Sequence, residues 1–338
     1  MPFLRWKTVL VAVLCAGACS DPVLAQGVAP TILQIDVENM VRYVEDTSDP
    51  SRFATNPGVT PAAVPKNFGE YIAFADIVAV NDVPAKGTYA SRGRSMTMSP
   101  VPTAGVAIAD ATRNSAVDVR FEILSVDGAT PIGTILGLEF GMGAPPPGAP
   151  LAITQGNNAI VGGTGAYLAV RGLYGQAVTS QSVPVRMASI SEDPANRRRN
   201  GGGKTRYVLQ VIPMTRPEIL MTAGVPVIAH ASNDVVTVSN PAAAGEVLSI
   251  FATGLGPTRP GVDPGQPFPS SPPAAVTSPI QVTVNGKPAD VMRAAGLPGA
   301  VDTYAVTFRV PPETARGEAT VSVAAAWITG SKATLIVQ

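Results

Sequence analysis

Residues 158–172 read NAIVGGTGAYLAVRG. An apolar run meets a corner made of Gly162, Gly163, Thr164 and Gly165, and a second strand-like run begins at Tyr167. Glycine allows close backbone approach and positive φ, and inside a strand pattern it marks a bulge or a bend. The stretch therefore predicts two β-strands joined at a tight corner on a barrel rim. The surrounding chain has the same character. Residues 71–80 form an apolar run, 81–87 a turn cluster, and 88–98 a mixed apolar and basic run. In 117–124 (VDVRFEIL), Val117, Val119, Phe121 and Ile123 alternate with Asp118, Arg120 and Glu122. Asp127-Gly128 is a hairpin signal, with 132–140 as the return strand. Runs at 151–154, 158–161, 167–178 and 205–212 complete the set. Strands in close succession, with no amphipathic helix between them, predict an all-β antiparallel barrel or sandwich.

The Gly162–Gly165 corner followed by Tyr167 and by Arg171-Gly172 resembles the signature of the allene oxide cyclase/dirigent-like β-barrel family. The resemblance covers about 71–213 and rests less on the 81–87 turn. It implies a small antiparallel barrel, a tendency to form homotrimers, and a mouth suited to small apolar molecules. It transfers no catalytic residue. Dirigent proteins place an aspartate ahead of the corner where this chain has Asn157, and allene oxide cyclases combine a glutamate with polar and cysteine partners.

Residues 225–338 repeat the β pattern in runs at 246–253, 280–284, 289–292, 303–310, 319–324 and 333–337, with an Asn285-Gly286 hairpin turn. Short strands at this density predict an immunoglobulin-like sandwich. The motifs FATGLGP (251–257), VTVNG (282–286), AGLP (295–298), FRVP (308–311) and the closing IVQ resemble the C-terminal Ig/TIG-like module of secreted bacterial proteins. That resemblance implies a non-catalytic spacer or docking unit. The expected organisation is a signal peptide at 1–25, an N-terminal strand and wrapping loop at 26–70, the barrel at 71–213, a linker at 214–224 and the sandwich at 225–338.

The N-terminus carries Arg5 and Lys7, an apolar stretch from Thr8 to Ala18, and Val23-Leu24-Ala25 as a cleavage site, which reads as an export signal. An alternative takes 16–19 (AGAC) as a lipobox, with Cys19 lipidated and the protein membrane-anchored. Cys15 and Cys19 are the two cysteines, so a mature chain cut near Gln26 has no thiol and no disulfide. The chain is expected to be secreted or on the cell surface. A formal net charge of zero with 14% charged residues gives no footprint for nucleic acid.

His230 is the one histidine, and no Gly-x-Ser-x-Gly elbow accompanies it, so it reads as structural or surface rather than as a triad member or metal ligand. Residues 192–204 contain Arg197-Arg198-Arg199 and Gly201-Gly202-Gly203, which read as an exposed loop and a solvated hairpin tip. The strand acids Asp76, Asp118, Glu122 and Glu139 are the pool for acid–base chemistry. Asp118 and Glu122 read as a wet face. Glu139 is the catalytic candidate, because Gly137 and Gly141 leave room on its side of the strand. The expected ligand-pocket corner is Asn157, Gly162, Gly163, Thr164, Gly165 and Tyr167, with no metal and no cofactor. Three functions follow: a non-enzymatic barrel that binds a small apolar ligand or self-associates; a cofactor-free isomerase or stereochemical guide using Glu139; or a structural matrix or envelope protein with a filled barrel.

Overall fold

Eight antiparallel strands close on themselves in the first two thirds of the chain. The computed structural model describes residues 30–46, 67–97, 113–140, 157–177, 179–189 and 192–338. The expected signal peptide with both cysteines, the 47–66 loop and the 151–154 run lie outside the described residues. The strands are β1 (Thr31–Asp46), β2 (Asn67–Val80), β3 (Val83–Thr97), β4 (Arg113–Leu124), β5 (Pro131–Phe140), β6 (Asn157–Gly165), β7 (Arg171–Ala177), β8 (Arg186–Ser189) and β9 (Gly203–Ile212). Their order is β2-β3-β4-β5-β6-β7-β9-β1, and β1 pairs back onto β2 to close the ring. The barrel therefore begins at Thr31 rather than at residue 71, and β1 is one of its staves.

Alternation sets the inside. Leu33, Ile35 and Val37 from β1, Val117, Val119, Phe121 and Ile123 from β4, and Tyr207, Leu209 and Val211 from β9 fill one apolar core. Two strands depart from the expected boundaries. The 81–87 turn cluster contracts to Asn81-Asp82, both at positive φ, as a two-residue hairpin requires. Tyr167 lies in the turn after β6, and the next strand starts only at Arg171.

In β1 a bulge falls at Glu38-Asn39. One position is added between Val37 and Met40 against β9 and between Glu38 and Val41 against β2, and Asn39 adopts φ 55°. A bulge inverts the facing of every later residue on its strand. Before it the inward residues are odd-numbered; after it Met40 and Arg42 take the inner side. Where β9 starts, opposite Met40, the parallel strand β8 takes over as the neighbour of β1 from Val41 onward.

The C-terminal part forms a second, nearly closed sheet. Its main strands lie in the spatial order Val247–Thr253, Tyr304–Arg309, Lys287–Gly296, Ile280–Val284, Gly317–Ala325 and Ile328–Val337. Lys287–Gly296 pairs with Ile280–Val284 at its start and with Tyr304–Arg309 along the rest, which bends the sheet round its own core. Asn285 and Gly286 make the expected positive-φ hairpin turn. The last hairpin turns at Ala326-Trp327, and Ala326, Trp327 and Ile328 belong to the core of the barrel rather than to that of their own sheet. The tip of the second domain thus plugs one end of the first.

Candidate functional site

The two ends of the barrel differ in chemistry. At one end β6 finishes in the glycine corner. A Cβ on Gly163 would stand 2.3 Å from the Tyr167 carbonyl oxygen, and one on Gly165, at φ +61°, would stand 2.6 Å from that of Ile132. These glycines let the chain fold back tightly enough to drive Tyr167 into the core, where it is fully buried and its hydroxyl donates to the Ala326 carbonyl at 3.4 Å. Tyr167 and Trp327 close this end. Of the corner expected beside a pocket, Tyr167 packs against the second domain's tip and Gly165 borders a separate cleft of about 530 Å³ at the domain junction; none of Gly162, Gly163, Thr164, Gly165 and Tyr167 lines the pocket at the other end. The reason is direction: β5 and β6 run antiparallel, so the end of β6 lies farthest from the end of β5, where Glu139 stands.

The other end carries a pocket among the described residues. This pocket, of about 460 Å³, is lined by Met40, Arg42, Tyr71, Tyr89, Glu139, Asn158, Gln176, residues 182–185, Lys204, Thr205 and Tyr207. Its floor is aromatic. Tyr89 stacks on Tyr207 at 4.9 Å between ring centroids, and Phe121 stands edge-on to Tyr89, Tyr174 and Tyr207 at 5.2–5.8 Å. Glycines make space for two of the rings: a Cβ on Gly93 would stand 2.5 Å from the Tyr71 ring, and one on Gly137 would stand 2.6 Å from that of Tyr174. Burial raises the phenols. Tyr71 is pushed up to about 12, with Glu139 adding to the rise and Arg42 opposing it, and Tyr89 and Tyr207 are raised mainly by burial. All three are neutral hydrogen-bonding groups at ordinary pH.

The rim adds charge. The Arg42 guanidinium lies over the Tyr71 ring, 4.2 Å from its centroid, a cation–π contact. Glu139 stands across the ladder from Asn158. Arg42 Nε and Asn158 Oδ1 are both buried without a hydrogen-bond partner, and so is the Tyr174 hydroxyl. A buried polar atom left unpaired costs roughly 1–3 kcal/mol, and a polar group placed in this mouth could satisfy both Arg42 Nε and Asn158 Oδ1.

Of the strand acids, Glu139 alone reaches this mouth. Asp118 points outward to an exposed pair with Arg92 at 3.4 Å, and Glu122 shares that outer face. Asn157 heads β6 opposite Phe140, and its neighbour Asn158 is the lining residue. Arg42, Tyr71, Asn158 and Tyr207 were not singled out from the sequence. The inward alternation of the tyrosines was a usable signal; Arg42 was hidden by the bulge.

Asp76 stands on the outer face of β2 and is covered. Arg197 Nη2 donates to its Oδ1 at 2.7 Å, Arg198 donates to both of its oxygens at 2.9 Å, and Asn39 Nδ2 donates at 3.0 Å. Burial works to raise the Asp76 carboxyl, but these bonds outweigh it and hold it at about 2. Arg197 and Arg198 are therefore a clamp and not a free loop, with Arg197 itself buried, while Arg199 donates to Asn196 Oδ1 on the surface. His230 is structural: its ring bonds Glu246 at 2.5 Å and the Asn240 carbonyl at 3.3 Å.

Among the described residues no group of three or more His, Cys, Asp or Glu is placed to hold a metal ion, and no helix is long and apolar enough to cross a membrane. No family model, characterised protein or solved structure matches the chain.

Proposed function

We propose that this chain is an exported binding protein whose barrel mouth takes a small, mainly apolar molecule bearing a hydrogen-bonding oxygen. The pairing of an aromatic floor with two unpartnered buried polar atoms, Arg42 Nε and Asn158 Oδ1, carries the reading. The pocket falls within the range of roughly 300–1,000 Å³ usual for small-molecule sites, and its mixture of apolar wall and few convergent polar groups is the usual composition. In this reading the second domain is a stopper and spacer, and self-association through the barrel, including the trimer implied by the family resemblance, is compatible with it. Anchoring at a lipidated Cys19 is the alternative to free secretion.

The core of the barrel is filled, which a purely structural role also predicts; the pocket beyond the tyrosine layer is what favours binding over it. One observation favours an enzyme as second reading. Glu139 lines the mouth beside Asn158 and near Tyr71, where it could move a proton on a bound ligand without a cofactor. Native mass spectrometry of the purified protein after exposure to an apolar metabolite extract tests both. Retention of a small molecule at fixed stoichiometry, lost in Arg42→Gln, is expected. Glu139→Gln should retain that molecule unchanged if the protein only binds, and should trap it unconverted if Glu139 is catalytic. A ligand-free mass with no thermal shift would refute the binding reading.

A further inference from the structure

The mouth has one wall that is not a barrel stave. Residues 182–185, between β7 and β8, line it directly, and the segment then runs along β1 as β8 and crosses the outer face to Asp76. This strap is tied at several points. Val183 bridges Lys204 through paired backbone bonds of 2.7 and 2.9 Å, and Arg186 holds Glu192 at 2.8 and 2.9 Å and the Gly201 carbonyl at 2.8 Å.

The far end of the strap lands on the β1 bulge. Arg197 Nη1 donates to the Asn39 carbonyl at 3.1 Å while its Nη2 binds Asp76, and the Asn39 side chain binds the same carboxylate. Gly202 presses on the bulge itself: a Cβ there would stand 2.5 Å from the Asn39 carbonyl carbon and 2.7 Å from the Met40 nitrogen. The next residue, Gly203, is as tight against the strap wall, 2.7 Å from the Pro184 carbonyl oxygen by the same measure. The bulge decides that Arg42, three residues on, faces the mouth. Its Asn39 sits at φ 55°, a left-handed conformation that asparagine takes more readily than most L-residues.

We propose that Asp76 is a positioning residue for the mouth: through Asn39 it fixes the bulge that aims Arg42 inward, and through Arg197 and Arg198 it seats the strap, so that Arg42 and the 182–185 wall are set together and released together. The consequence for ligand rests on the binding reading above; the coupling of strap to bulge does not.

The test uses the full exported protein with 8-anilinonaphthalene-1-sulfonate as probe, alongside amide hydrogen exchange read by peptide. Asp76→Asn keeps the shape of the side chain and removes its charge. Gly202→Ala pushes the same bulge from the strap side and touches no charge. Both should speed exchange at 40–43 and 186–189 together, leave 117–123 unchanged, and weaken dye binding by about tenfold, the scale of one lost charge-assisted contact. Arg42→Gln should weaken the dye equally and leave exchange unchanged. Faster exchange confined to 192–200, or to the strap without 40–43, would overturn the proposal. If the dye fails to bind, or binds Arg42→Gln as it binds the parent, the binding reading falls and exchange alone decides the coupling. Should either variant loosen 117–123 as well, Arg198→Gln takes its place, since that side chain is 73% exposed and contributes only to the latch; unchanged exchange at 40–43 there would count against the proposal.

Discussion

Arg42 and Tyr71 show how little a residue's own identity says about its task. On a regular strand Arg42 would face water with the other basic residues; one inserted position at Asn39 turns it over an aromatic ring inside the barrel. Alternation reads facing only while the phase holds, and a bulge leaves no mark in the sequence beyond a residue tolerant of positive φ. Glu139 was legible because its strand keeps phase from Gly133 onward and Gly137 lies two residues away on the same side. The glycine opposite Tyr71 gives a residue-level prediction. In Gly93→Ala the new methyl needs the space of the far end of the Tyr71 ring, which can swing toward the pocket it lines. Stability should change by no more than about 1 kcal/mol, below a typical core overpacking, while dye affinity falls because the Arg42–Tyr71 contact is disrupted. Paired denaturation and fluorescence titration check both; a loss of stability with unchanged affinity would show that the ring has no part in the mouth.

At the scale of elements, the strands were readable and the connections were not. The second domain's strands fall within a few residues of their expected positions, because hydrophobic alternation and an Asn-Gly turn are local signals. The arginine and glycine runs at 197–203 read as solvated loop because their partners are remote: Asp76 is 121 residues from Arg197, and Asn39 is 158. Local composition cannot report a contact made across the barrel. A second connection, the loop from His230 to Glu246, gives a pH prediction. The bond to Glu246 is the main cause of a raised His230 pKa, against opposition from burial. Burial works to raise Glu246, but bonds from the Ala243 amide and His230 outweigh it and leave it lowered. A raised histidine stabilises fully below its ordinary value of 6.5 and loses that contribution as pH rises through the folded value. A lowered glutamate stabilises fully above 4.5 and loses it as pH falls through the folded value. The melting temperature of the second domain should therefore be highest between these two values and decline on the alkaline side. His230→Gln should flatten that alkaline decline in calorimetry, and an identical decline in the variant would refute the assignment.

The whole molecule depends on a contact that neither domain's strand pattern announces. Division into an N-terminal and a C-terminal β unit was legible; the insertion of Ala326-Trp327 into the barrel end was not, since two residues in a hairpin turn carry no periodicity. Both adopt positive φ, at 48° and 63°, a conformation that glycine or asparagine would take more easily, and Trp327 is nevertheless buried. Trp327→Ala should cost about 3–5 kcal/mol, the range for removing a large buried aromatic. Denaturation followed by probes in each domain should show the barrel transition moving to lower denaturant, because the lost ring belongs to the barrel core. A shift confined to the second domain would contradict that placement.

The stopper also fixes the traffic of whatever the barrel holds. On the proposed binding role, a molecule resting on the tyrosine floor cannot pass through the plugged end, so it would enter and leave by the end where it sits. A change that slows its escape would then slow filling as well, lengthening residence with little gain in affinity, and the vessel would act as a store rather than a conduit.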